Sequence, residues 1–239
     1  MASPTVTTRL NRSVIAAGQS VRDDASLSGA TQNAGGTVTY TVYTDSACTA
    51  GARDAGTVAV KNGNVPHSSK LEFDQVGTYF WQAAYSGDAA NNPAKSACTS
   101  EQLTVVKASP VLLTFLSSYV LRAGGSAQDS AVLLGASPDA GGTVTFTVYT
   151  DPNCSMGARD AGTVTVAGGQ VPDSQTLAFP TPGVYFWQAT YSGDANDNAA
   201  TSLCFSEPLL VRSPPGANEA AHWRHDDKRW PPNERGRED

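Results

Sequence analysis

The sequence predicts an all-β protein: two tandem β-sandwich domains, one disulfide in each, followed by a dissimilar C-terminal tail. Three observations predict it. The first is an internal repeat, since GTYFWQAAYSGDAANN at Gly77 returns as GVYFWQATYSGDANDN at Gly183, 106 residues on. The same offset aligns Cys48 with Cys154, Cys98 with Cys204 and Ala2-Ser3-Pro4 with Ala108-Ser109-Pro110, with no gap from Ala2 to Ser213. More than half of the aligned positions are identical, and a period this long means two copies of one domain, not a short solenoid repeat. The boundaries it implies are 2–107, 108–213 and a tail from 214 to 239. The second observation is two-residue alternation of apolar and polar side chains. The third is a composition rich in Thr, Val, Ala, Gly and Ser and poor in charge, which suits strands joined by tight turns.

The elements follow in order along one repeat. Segments near Thr5–Leu10 and Ala25–Gly29 supply two strands. In TVTYTVYT, Thr37 to Thr44, Val38, Tyr40 and Val42 share one face, and the second copy keeps the pattern as Val144, Phe146 and Val148. DSACTAGARDAG is a loop rich in turn residues, and TVAV after it is a short strand with Val58 and Val60 on one face. NGNVP and GGQVP mark tight turns, where Pro66 and Pro172 limit any strand running through them. TYFWQAAY places Tyr79, Trp81, Ala83 and Tyr85 on one face; SGDAANN turns the chain and EQLTVV closes the domain. About seven short strands without an amphipathic helix are the pattern of an immunoglobulin-like sandwich. A small closed barrel is the alternative that periodicity leaves open.

Composition excludes several classes of function. The net charge of −6, with no clustered basic face in either repeat, argues against nucleic-acid binding. No apolar run approaches the ~18 residues needed for a membrane helix; SPVLLTFLSSYVL is short and interrupted by Ser and Thr. The N-terminus lacks the apolar stretch of a secretory signal, so the chain is expected to be processed or part of something longer. The cysteines come as one pair per repeat at identical positions, Cys48/Cys98 and Cys154/Cys204, which reads as two intradomain disulfides. Metal binding is the rival, but no CxxC partner or repeated His accompanies them. Persistent disulfides imply an extracellular or cell-surface location.

The segments AGGTVTYTVYTDSAC, YFWQAAYSGDAANN and SACTSEQLTV resemble the bacterial Ig-like repeat domains of large secreted and surface proteins, which often carry a YSGD turn before the last strand. The likeness covers 34–105 and 140–211 and fades at the start of each repeat, where the copies diverge. It implies sandwiches strung along a stalk or adhesin, without catalysis. Within it, Tyr79 and Tyr185 take the place of the corner tyrosine, whose hydroxyl ties back to nearby backbone. Trp81 and Trp187 then occupy the core position where antibody domains place a cysteine, and the indole fills that volume.

Candidate chemistry is sparse. Recurring acids are Asp23/Asp129, Asp45/Asp151, Asp54/Asp160, Asp88/Asp194 and Glu101/Glu207. Asp88 and Asp194, in a string superficially like a calcium loop, are a weak calcium alternative, and no metal is assigned, because the remaining ligands of such a loop are missing. Turn chemistry is the plainer reading. Arg53-Asp54 and Arg159-Asp160 read as structural Arg–carboxylate pairs or, more sharply, as ligand-binding loop residues. His67 maps to Asp173, so neither repeat builds a Ser-His-Asp set. The four repeat lysines Lys61, Lys70, Lys95 and Lys107 have no counterparts in the second repeat, so no shared isopeptide staple is expected. In the tail, Trp223, Trp230 and His222, His225, Asp226 and Asp227 suggest a disordered extension, a docking segment or a weak metal site. The expected function is a non-catalytic spacer or adhesion module; alternatives are a carbohydrate- or protein-binding module using the cysteine loops and a phage or virion decoration domain. No cofactor is expected. Partners are neighbouring domains of a longer surface protein or a surface glycan or protein ligand, with no nucleic acid, and the chain is expected to be a monomer.

Overall fold

The computed structural model describes residues 1–214. The first repeat forms β1 (Thr5–Leu10), β2 (Val14–Ala16), β3 (Gln19–Val21), β4 (Asp23–Ser28), β5 (Thr37–Tyr43), β6 (Arg53–Ala59), β7 (Leu71–Phe73), β8 (Gly77–Tyr85), β9 (Ala94–Lys95) and β10 (Glu101–Val106). The second repeats the series as β11 (Val111–Leu116), β12 (Val120–Arg122), β13 (Gly125–Ala127), β14 (Asp129–Leu134), β15 (Thr143–Tyr149), β16 (Arg159–Thr165), β17 (Leu177–Phe179), β18 (Gly183–Tyr191), β19 (Ala200–Thr201) and β20 (Pro208–Arg212). Ten strands per domain replace the seven expected. The extra ones are two- or three-residue pieces, too short for alternation to reveal.

Each domain is a two-sheet sandwich of immunoglobulin type. One sheet runs β2-β10-β8-β5-β6 with β9 against β8; all its pairs are antiparallel except β2–β10. The facing layer is β1–β4 and β3–β7. β3 and β4 are one strand interrupted at Arg22, whose N–H leaves the ladder and donates to Asn11 Oδ1 at 2.8 Å. The second domain has the same order and registers.

The alternating faces meet between the layers. Val38, Tyr40 and Val42 of β5, Trp81, Ala83 and Tyr85 of β8 and Leu103 and Val105 of β10 pack against Val6, Leu10, Val21 and Phe73. An equivalent cluster forms wholly within the second repeat. Two separate cores make two domains, because each buries its apolar faces without the other.

The domains meet tip to tip. Gln75 Nε2 donates to Asp139 Oδ2 at 3.1 Å, Val76 N–H to Asn196 Oδ1 at 3.1 Å, and Lys107 Nζ to the Asp194 carbonyl. Gly18, at φ +82°, lies against Pro138; a Cβ there would stand 2.8 Å from the proline Cδ. The linking residue Ala108 is stitched into the second domain through Asn196 O and Asn198 N.

Candidate functional site

The cysteine loop leaves β5 and is organised by one side chain. Asp45 Oδ1 accepts the N–H groups of Thr49 at 2.9 Å and Ala50 at 2.7 Å, while Oδ2 accepts the Thr49 hydroxyl at 2.8 Å. Those donors hold its carboxyl below the usual carboxylate range. The turn drives Cys48 to φ +55°, aiming its sulfur at Cys98 in the single helical turn Cys98–Ser100 that precedes β10. The bridge spans Cα atoms 5.8 Å apart, as does Cys154–Cys204 in the second domain. Both are intradomain, and no cysteine is free. Each clamps one end of its sandwich. Asp151 repeats the role of Asp45, its burial opposed by donors from Met156 and Ser155 that keep its pKa low.

The Arg-Asp pairs separate into two structural tasks. Between Thr39↔Thr57 and Thr41↔Asp54 the ladder slips, leaving Ala55 and Gly56 of β6 opposite Tyr40 alone. This is a β-bulge. Gly56 supplies its φ of +100°, and Asp54 Oδ1 accepts the Gly56 N–H at 2.8 Å. Asp160 and Gly162 do the same. The preceding arginines turn elsewhere: the Arg53 guanidinium lies 5.2 Å from the centre of the Phe73 ring, and that of Arg159 5.4 Å from Phe179. Arg159 Nη1 also donates to Ala178 O at 2.8 Å. The Arg–carboxylate pairing suggested by the sequence is therefore replaced by a cation–π contact and an Asx-type turn, because adjacent strand residues point to opposite faces.

Phe73 joins this arginine to the corner. Its ring centroid is 4.8 Å from Tyr79 and 6.3 Å from Trp81, and Tyr79 Oη donates to Gln75 O at 3.0 Å. Phe179, Tyr185 and Trp187 reproduce the stack at 4.9 and 6.2 Å, with Tyr185 Oη donating to Thr181 O at 2.9 Å. Trp81 and Trp187 are wholly buried. Arg53, Tyr79 and Trp81 thus form one column running from solvent to core. Phe73 is its missing member, and the signal for it was present in the repeat, where Phe73 aligns with Phe179.

Asp88 and Asp194 are engaged by their own loops and by the loop before β5 or β15. Asp88 Oδ1 accepts Ala90 N–H, Asn91 N–H and Asn91 Nδ2, all within 2.9 Å, and Oδ2 accepts Gly35 N–H at 2.7 Å. The Gly35 and Ala90 donors hold its carboxyl well below the ordinary range. Asp194 takes N–H groups from Gly141, Asn196 and Asp197; burial raises its pKa, but these donors and Lys107 outweigh it and the net shift is downward. Among the described residues no cluster of three or more His, Cys, Asp or Glu could hold a metal. The tail residues His222, Trp223, His225, Asp226, Asp227 and Trp230 lie outside the described residues.

Sequence reasoning missed the buried acids. Asp23 and Asp129 are fully buried, and Glu207 is 2% exposed. Glu101 Oε2 accepts Leu10 N–H at 2.8 Å and Glu207 Oε1 accepts Leu116 N–H at 3.0 Å, so each Glu crosses from one sheet to the other. Asp129 Oδ1 accepts Phe115 N–H at 3.1 Å. Asp23 Oδ1 and Oδ2, Asp129 Oδ2 and Glu207 Oε2 are buried without a hydrogen-bond partner. Burial, then repulsion from Glu101, lifts Asp23 to about 7. Burial, then repulsion from Glu207, lifts Asp129 as well. A carboxyl so deeply buried keeps its proton chiefly because burial disfavours the charged form, and the neighbouring glutamate adds to that. That Asp23/Asp129 and Glu101/Glu207 recur was legible; their meeting between the sheets was not.

No family model matches the chain, and no curated protein does. Solved structures with some likeness include the adhesin InvE of Yersinia pseudotuberculosis, with 15% identity over 82% of this chain and 58% of that one, TM-score 0.32. The Escherichia coli adhesin FdeC shows 15% identity over 88% and 64%, TM-score 0.32. Red sea bream transglutaminase shows 10% over 87% and 31%, TM-score 0.36. This chain spans less than two thirds of each of these, and likenesses so faint decide nothing about its activity. Among the described residues no helix is long and apolar enough to cross a membrane.

Proposed function

We propose that the chain is a non-catalytic spacer and adhesion module of a secreted or cell-surface bacterial protein. The observation that carries this reading is the tip-to-tip joint between two disulfide-clamped copies of one sandwich. Repetition sets length, each unit is stable by its own core, and the joint transmits orientation. The loop acids support it too: Asp45 and Asp88 have both oxygens committed to donors of their turns and neighbouring loops, which leaves them little capacity for a ligand or a reacting atom. The bridges favour an oxidising compartment. Small-angle scattering on the two-domain chain is expected to return an extended, narrow distance distribution. Cell-binding and glycan-array assays locate any adhesive activity. A compact, side-by-side shape would overturn the spacer reading, and saturable glycan binding abolished by Arg53→Ala and Arg159→Ala would favour the cysteine loops as a binding site.

A further inference from the structure

The two domains differ in character on one side face. In the second, Val111, Leu113 and Phe115 of β11 and Val132 and Leu134 of β14 all point outward, with exposures of 41% to 57%. Val111 pairs with Leu134 and Leu113 with Val132 across the ladder, so the patch is continuous. A groove lined by β11 and by Thr201, Ser202 and Leu203 carries it on to Leu203 and Phe205, which are 62% and 66% exposed. The first domain holds Thr5, Thr7, Arg9, Ser26 and Ser28 at the five strand positions and Ala97 and Thr99 at the other two. There Thr7 and Ser26 share a hydroxyl–hydroxyl bond of 2.7 Å where the second domain sets Leu113 on Val132. The sandwich therefore does not need apolar residues here. Scattered exposed apolar residues are ordinary; seven together, all polar or small in the sister domain, are not.

A domain in series does not cover this face, since the joint uses the tips around Gln75, Lys107, Asp139 and Asn196. A sugar would want hydrogen-bonding side chains, and the Ser130 hydroxyl beside Phe115 is already given to Phe115 O at 3.1 Å. What fits is another flat, uncharged sheet. None of the seven side chains is charged, so two copies can meet here despite the net charge of −6. Seven large side chains left 41% to 66% exposed offer an area comparable to the ~800 Å² that each partner gives to a stable interface. We propose that the β11–β14 face, continued by Leu203 and Phe205, is a dimerisation surface, on which the second domains of two copies pack face to face about a two-fold axis. The first domains stay free, and the assembly presents two of them. This proposal departs from the monomer expected from the sequence.

The test is sedimentation equilibrium of the full chain over a wide concentration range. The mass is expected to rise toward twice 24.8 kDa. The variant Leu113→Thr, Phe115→Arg, Val132→Ser and Leu134→Ser installs residues that the same scaffold carries in the first domain, and is expected to be monomeric with unchanged circular dichroism. Should it fold poorly, the single Leu134→Lys change at the rim is expected to weaken dimerisation at least tenfold. A wild-type chain that stays at 24.8 kDa at every concentration overturns the proposal, as does a dimer unaffected by both variants. A monomer whose β11 and β14 amides lose exchange protection when residues 215–239 are removed would assign the face to the tail and equally overturn it.

Discussion

Burial of Asp23 beside Glu101 and between β1 and β10 lifts its carboxyl to about 7, which couples the stability of the first domain to pH. Between its unfolded value near 3.8 and about 7, the folded state binds the extra proton, so stability falls as pH rises through that window and levels off above it. A shift of this size corresponds to on the order of 4 kcal/mol. The melting temperature is expected to fall as pH is raised from about 4 to about 7, and Asp23→Asn should flatten that slope. An unchanged slope in the variant would move the effect elsewhere. The second domain should behave alike, with Asp129→Asn as its test, since burial and Glu207 raise Asp129 too. Asp88 and Asp194 have the opposite sign: their lowered values contribute stability above their unfolded pKa that is lost as pH falls through the folded one, so acid should weaken the turns.

Between β7 and β8, the corner and its aromatic column tie a three-residue strand to a nine-residue one. Tyr79→Phe removes the bond to Gln75 O and is expected to cost about 1 kcal/mol. Phe73→Ala empties the middle of the column and is expected to cost about 3–5 kcal/mol, measured by urea denaturation. If the two changes cost the same, Phe73 is not the link between Arg53, Tyr79 and Trp81. The disulfides act at the other end of the sandwich. Each closes a loop of 50 residues, so reduction is expected to remove up to about 4 kcal/mol from each domain while its far-ultraviolet circular dichroism stays intact. Loss of secondary structure on reduction alone would mean that the cores around Trp81 and Trp187 do not suffice.

Over the whole molecule, the joint is a set of three hydrogen bonds and one close backbone approach. Lys107→Ala with Asn196→Ala removes two of the donors or acceptors without touching either core. The double variant is expected to leave both melting transitions within about 0.5 kcal/mol of wild type. Its scattering profile should broaden toward a flexible pair. The joint is also particular to this pairing, since Thr181, Pro182 and Ser213 stand at the far tip where Gln75, Val76 and Lys107 stand at the near one. Pro182 has no N–H to give, so the second domain cannot dock a further copy by the same three bonds.

By itself the sequence determined the two domains, their all-β character and the faces of the long strands, because a gapless repeat and two-residue alternation are local and periodic. It also marked the cysteines, Tyr79, Trp81 and their counterparts by exact recurrence. Only the tertiary structure decided what meets across the sandwich. Asp23 and Glu101 lie 78 residues apart in sequence, and only sheet packing sets them together and leaves both oxygens of Asp23 without a hydrogen-bond partner. Arg53 and Asp54 are adjacent yet divide between an aromatic ring and a bulge, because neighbours on a strand face opposite ways. The apolar string at Val111–Leu116 was visible as composition, but which of its residues face solvent depends on the register with β14, a contact between strands that no single stretch of chain contains.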